Sequence, residues 1–133
     1  MRKYKVVIDS LGKERVVARS HGFKIGLGAA RGDSSAGFNA AETLLAAFGT
    51  CLATNINSIS RQMHLRIEGF EIEVEGIRLE SPPRISQIKY SVRFRSPEPE
   101  EKLEKLLSLC MKYGTVTNTL VRGVKISGEI FVE

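Results

Sequence analysis

A chain of 133 residues with 42% apolar and 26% charged residues has ordinary globular composition and enough length for a packed core, which excludes disordered, collagen-like and disulfide-framework classes. The net charge of +5 is concentrated at the start: residues 1–31 carry eight Lys or Arg against only Asp9 and Glu14, and the rest of the chain is close to neutral. That N-terminal segment holds Tyr4 and Phe23 but no ribonucleoprotein-type aromatic motif, so the charge pattern argues against a nucleic-acid partner and for solvated faces.

In chain order, Tyr4, Val6 and Ile8 alternate with polar residues, Ser10 to Lys13 make a Gly-containing turn, and Arg15 to Ala18 resume an extended pattern; together they predict a hairpin. The start, Arg2 and Lys3 followed by Tyr4 to Ile8 and then Asp9, lacks the apolar core of a signal peptide. Phe23, Ile25 and Leu27 predict a third strand. The Gly-, Ala- and Ser-rich stretch from Gly26 to Phe38 reads as a long loop of the kind that borders functional sites. Its Gly26-x-Gly28-x-x-x-Gly32 spacing misses the dinucleotide fingerprint and runs into Asp33-Ser34-Ser35 rather than a helix, which argues against a nucleotide site.

Asn39 can cap a helix, with Glu42 three residues on where a capping-box carboxylate reaches back. Leu44, Leu45, Phe48, Leu52, Ile56, Ile59 and Met63 fall on one arc at 100° per residue. Ala46, Ala47, Gly49 and Ala53 would let neighbours approach from other sides, so the expectation is a long, central helix buried on several faces. Its most apolar stretch, Leu44 to Ala53, is far shorter than the roughly 18 to 20 residues that span a bilayer; with the start of the chain, this predicts a soluble cytoplasmic protein without a membrane partner.

Phe70, Ile72 and Val74 alternate with Glu71, Glu73 and Glu75; after Ser81-Pro82-Pro83, Ile88, Tyr90, Val92 and Phe94 alternate with Lys89, Ser91, Arg93 and Arg95. Two antiparallel strands follow, with an acidic stripe expected opposite a basic one. Pro97, Glu98, Pro99, Glu100 and Glu101 mark a helix start, Leu103, Leu106, Leu107 and Cys110 its buried stripe, and Gly114 a left-handed end. Thr115 to Leu120 would add one turn before a last strand carrying Val124, Ile126, Ile130 and Val132. The whole is a single α+β domain over residues 1–133, ordered strands, long helix, strands, helix, strand.

Two cysteines with no Cys-x-x-Cys and only His21 and His64 as imidazoles give neither a zinc pattern nor a secreted disulfide scaffold, and predict no metal. Cys51 lies at the edge of the apolar arc, with Asn55 and Ser58 one and two turns on, where a thiol can meet water or substrate. Cys110 continues the leucine stripe, and by itself reads as core.

The run Asn39-Ala-Ala-Glu-Thr-Leu-Leu-Ala-Ala-Phe-Gly-Thr-Cys51-Leu-Ala resembles the central-helix signature of the OsmC/Ohr family, the osmotically induced and organic-hydroperoxide-resistance proteins, Asn/Ser-Pro-x-Glu-Leu-Leu-Leu-Ala-Ala-Leu-Gly-Ser-Cys-Leu-Ala. Lys112-Tyr-Gly-Thr-Val-Thr-Asn-Thr-Leu120 is similar to its second signature, Tyr-Cys-Pro-Val-Ser-Asn-Thr-Leu. The resemblance implies an intertwined homodimer with active sites at the subunit interface, and thiol peroxidase chemistry in which Cys51 attacks a peroxide, becomes a sulfenic acid and is resolved by a second cysteine. No cofactor is implied; an external thiol reductant is. The second signature departs here, since Gly114 and Thr115 replace Cys-Pro, and Cys110, one turn earlier, is the only substitute. Glu42 matches a Glu common in the family, while the active-site Glu of the hydroperoxide-resistance members aligns with Ala41; Arg15, Arg19 and Arg31 are candidates for the Arg those members place by the thiolate. The alternative function is a non-enzymatic protein of this fold that binds a small hydrophobic ligand in the interface crevice.

Overall fold

Three short strands, β1 (Val7–Gly12), β2 (Arg15–Ser20) and β3 (Phe23–Gly28), begin the chain in the computed structural model, which describes residues 1–32 and 35–133. Asp33 and Ser34 of the Gly-Ala-Ser stretch lie outside the described residues. Then follow α1 (Ala40–Gln62), β4 (Gly69–Glu80), β5 (Pro83–Arg95), α2 (Glu100–Tyr113) and α3 (Thr115–Arg122). The chain forms two compact units, one of residues 1–46 and 75–88, the other of residues 47–74 and 89–133.

In the first unit β1, β2 and β3 make an antiparallel meander in the order β1-β2-β3. The β2–β3 connection is His21-Gly22, both at positive φ (35° and 92°), as a two-residue turn matched to strand twist requires. The first strand starts at Val7 rather than Tyr4, because its partner runs out: Val7 pairs with Arg19, and one residue on, Ser20 closes the edge by donating its hydroxyl to the Lys5 carbonyl at 2.8 Å. Ile8, Ala18 and Ile25 form one cross-strand row. Ala18 is buried, but Ile8 is 55% and Ile25 60% exposed, so this apolar face is open.

The start of α1 also belongs to this unit. Asn39 Oδ1 accepts from the Glu42 N–H at 2.8 Å and the Glu42 carboxylate accepts from the Asn39 N–H at 3.0 Å, the reciprocal cap the sequence predicts. Gly76 lies under Leu45, where a Cβ would come within 3.1 Å of that side chain.

The second unit holds the described core of Leu52, Ile56, Ile59, Leu106 and Cys110. Its elements follow from simple periodicity: the α1 stripe Phe48, Leu52, Ile56, Ile59 is buried, and so are Leu106 and Cys110 of α2. Aromatic pairs extend this packing, Phe48 with Tyr90 at 5.7 Å between centroids and Phe70 with Phe94 at 6.5 Å.

Four expectations are corrected. Ala46, Ala47, Thr50 and Thr54 of α1 are exposed, so the helix is buried along one stripe, not on several faces. The acidic and basic stripes of β4 and β5 do not pair: the ion pairs among the described residues are Arg19 with Asp9, Arg66 with Glu68 and Arg78 with Glu80, and Arg95 donates instead to the Glu68 carbonyl at 3.3 Å. Exposed long side chains gain little from being held together in water. Gly114 is not left-handed but extended (φ −75°, ψ 125°); the positive-φ end falls at Gly123 (φ 79°), after a second turn of α3, where its N–H donates to the Thr119 carbonyl at 2.8 Å. Residues 123–133 form no strand; Ile126 is 91% and Ile130 87% exposed, because an extended segment becomes a strand only against a free edge.

Candidate functional site: the thiol face of the long helix

Cys51, Cys110 and a groove between α1 and α2 belong to the second unit, in which α2 packs against α1. Helix periodicity puts Cys51 on the same side of α1 as Asn55, Ser58 and Gln62, all within about 40° on the helical wheel. Cys51 is partly exposed and Cys110 is 1% exposed; neither is in a disulfide. Cys110 completes the leucine stripe of α2, so its sulfur is held in apolar packing. Burial pushes its thiol from 9.0 up to about 11, and the neighbouring Cys51 adds a like charge in the same direction. At neutral pH Cys110 is a protonated thiol, a poor nucleophile.

Asn55 locks the two helices in register: its Nδ2 donates to the Cys110 carbonyl at 3.1 Å. This contact joins residues 55 apart in the chain, and nothing local in the sequence announces it. Beyond it, Asn55, Ser58, Ile59 and Gln62 of α1 with Leu109 and Tyr113 of α2 line a groove of about 400 Å³. Sequence reading noted Asn55 and Ser58 as polar neighbours of Cys51 and missed Tyr113, whose ring lies 5.4 Å beneath the Lys112 ammonium.

The second-signature position is closed. A Cβ on Gly114 would lie 2.8 Å from Thr117 Oγ1 and 3.2 Å from the Cys110 carbonyl oxygen, and Thr117 is buried. The space a cysteine would take at Gly114 is filled by threonine.

The structure places the remaining predicted site residues in the first unit. Glu42 is occupied by the capping box. Arg19 is paired with Asp9 at 2.6 Å, Arg15 is exposed on β2, and Arg31 lines a hollow of about 500 Å³ with Asn39, Ala40, Ala41 and Arg78. Among the described residues no group of His, Cys, Asp and Glu is arranged to hold a metal, and no helix is long and apolar enough to cross a membrane.

The chain superimposes on an OsmC-like protein from Mycoplasma pneumoniae with a TM-score of 0.84 at 21% identity, covering 91% of this chain and 89% of that one. An organic hydroperoxide resistance protein from Legionella pneumophila gives 0.65 at 15% identity over 92% and 93% of the two chains. The organic hydroperoxide resistance protein OhrB of Bacillus subtilis gives 0.62 at 16% identity over 92% of each. No curated protein matches the chain. The OsmC-like protein family matches residues 32–129, which include both thiols and both signatures, and the chain belongs to that family.

Proposed function

We propose that the protein is a thiol-dependent hydroperoxide reductase of atypical design, acting in oxidative or osmotic stress defence, with Cys51 as its reactive thiol. The observation that carries this reading is the contrast between the thiols: Cys51 is reachable on a polar edge, and Cys110 is sealed in the core. The Cys51 thiolate attacks one peroxide oxygen; the S–O bond forms as the O–O bond breaks, the alkoxide takes a proton to leave as alcohol, and Cys51 becomes a sulfenic acid. Two external thiols then restore it. The hydroperoxide-resistance names of the Legionella and Bacillus structures support the substrate class.

The working form in this proposal is a cytoplasmic homodimer of single domains spanning residues 1–133. The open apolar face of the N-terminal sheet and the exposed apolar tail after Gly123 are surfaces a second copy would cover. Glu42 and Cys110 have supporting roles, the first in starting the helix that carries Cys51 and the second in packing it.

The test is sulfenic-acid trapping after a brief pulse of an organic hydroperoxide. Trapping in wild type and Cys110→Ser, with none in Cys51→Ser, is the expected result; labelling of Cys110 alone refutes the assignment. The closed position at Gly114 favours a second reading, a non-enzymatic protein of this fold binding a small hydrophobic molecule, and absence of any trapped sulfenic acid would select it.

A further inference from the structure

The lysines near the start of the chain read in the sequence as solvated charge. The fold adds a concave surface with aromatic rings in it. At one end of the β1-β2-β3 meander, the segment before β1 and the His21-Gly22 turn line a hollow of about 840 Å³, within the roughly 300–1,000 Å³ of small-molecule sites. Ser20 holds the first wall through its 2.8 Å hydrogen bond to the Lys5 carbonyl, and positive φ at His21 and Gly22 shapes the second. The lining residues all belong to the first unit and both thiols to the second, so the inference does not rest on Cys51 being reactive.

Two features of the lining point to a class of ligand. Lys3, Lys5, Lys24 and Arg19 supply four cations, and no carboxylate is among the lining residues. Arg19 is paired with Asp9, but none of the three lysines has an ion-pair partner among the described residues. An ammonium on a flexible four-carbon stem is a point charge suited to phosphate oxygens. The second feature is aromatic. Tyr4 and Phe23 are 80% and 70% exposed in this hollow, and the His21 ring braces Phe23 in a T-shaped contact with centroids 5.4 Å apart. Exposed rings beside cations are what stacks a planar base while its phosphates are neutralised. Free phosphate would leave both rings in water, and an uncharged aromatic molecule would leave the ammonium groups unanswered.

We propose that this hollow binds a nucleoside polyphosphate, its base against Tyr4 and Phe23 and its phosphates against Lys3, Lys5 and Lys24. No glycine-rich phosphate loop is needed, since side chains rather than backbone amides supply the positive charge. Recognition is by charge and stacking: the lining has no side-chain amide or carboxylate to read the edge of a base.

Calorimetric titration of the full chain with ADP, adenosine and inorganic pyrophosphate, at one ionic strength and without divalent metal, tests this. ADP should bind at least about tenfold tighter than either fragment, and more weakly as salt rises. Lys5→Gln combined with Lys24→Gln should weaken ADP about tenfold. Lys89→Gln combined with Lys105→Gln, the same loss of charge at exposed positions outside the hollow, should leave ADP binding unchanged. Phe23→Leu keeps apolar bulk and loses the stacking plane, so it should weaken ADP and spare pyrophosphate. Equal affinity for ADP and pyrophosphate, or an equal loss in the control pair, would overturn the proposal by reducing the hollow to general positive charge. A short single-stranded RNA that binds more than about tenfold tighter than ADP, and loses that affinity in the Lys5 and Lys24 variant, would overturn it in favour of a strand. Absence of ADP binding refutes it outright, and dissociation of the protein by Phe23→Leu in sedimentation would then assign the rings to a second copy of the chain.

Discussion

Leu52, Ile56, Leu106 and Cys110 in the second unit are each at most 1% exposed, whereas Ile8, Phe23 and Ile25 in the first unit keep more than half of their surface in water. Both sets come from equally regular patterns, one of period 3.6 and one of period 2. The helices find their cover within the unit, α1 against α2. The meander turns its apolar row outward, and each such side chain would gain roughly 1.5–3 kcal/mol on full burial. Periodicity identifies which face is apolar; it does not say whether the same chain supplies the other half of the core.

The contrast breaks most sharply by mutation. Leu106→Ala should cost about 2–5 kcal/mol, as loss of a fully buried leucine does, in any assembly. Ile25→Asp discriminates. On a face open in solution it changes stability by less than about 0.5 kcal/mol; on a face covered by a second copy it dissociates the assembly. Sedimentation of wild type as a dimer and of Ile25→Asp as a 14.7 kDa species or an unfolded chain is the expected pair of results. A wild-type monomer at micromolar concentration would show that the apolar sheet is tolerated bare.

Alkali tests the burial of Cys110. Cys110 ionises near 9.0 in the unfolded chain and near 11 in the folded one, so between those values the unfolded state binds fewer protons and stability falls as pH rises. It is fully present below about pH 9 and lost by about pH 11, at up to ~1.4 kcal/mol per pH unit and roughly 3 kcal/mol in all. Urea titrations between pH 8 and 11 should show a steeper loss of stability in wild type than in Cys110→Ala.

A smaller effect tests the closed signature. Gly114→Ala needs no unusual backbone angle, since φ is −75°, but its methyl meets Thr117 Oγ1 at 2.8 Å, an overpacking worth about 1–3 kcal/mol. The double variant with Thr117→Ala should recover most of the loss. Additive losses would show that the glycine is retained for another reason.

What could be read from the sequence was what is local. Asn39 with Glu42, the leucines of α2 and the alternation of β4 and, Tyr90 apart, of β5 are decided within a few residues, and each appears as read. The strand expected at Val124 to Val132 needs an edge supplied from elsewhere, and Gly114 looked like a left-handed terminus because glycine commonly ends a helix that way, whereas here its φ is ordinary and it is the space for a Cβ that the Thr117 side chain restricts. At the site, Cys51 and Cys110 were legible by residue type and phase. Asn55 binding the Cys110 carbonyl was not, because a contact between distant helices depends on how they pack.

The mildest perturbation concerns Glu42, whose carboxylate both matches a family position and closes the helix start. Asn39→Ala removes the acceptor that holds the Glu42 N–H at 2.8 Å and should cost about 1 kcal/mol. Glu42→Gln keeps an oxygen for the Asn39 N–H and loses only the favourable meeting of negative charge with the helix dipole, about 0.3–1 kcal/mol. A purely capping Glu42 therefore predicts that Asn39→Ala is the more destabilised variant and that neither changes the rate of sulfenic-acid formation at Cys51 in folded protein. A Glu42 that touches the peroxide reverses the order of interest: Glu42→Gln, the more stable variant, would be the one that loses peroxide reactivity. Thermal melts and hydroperoxide consumption measured on the same two samples decide between these roles, and a slow, stable Glu42→Gln would move that carboxylate from the helix cap into the reaction.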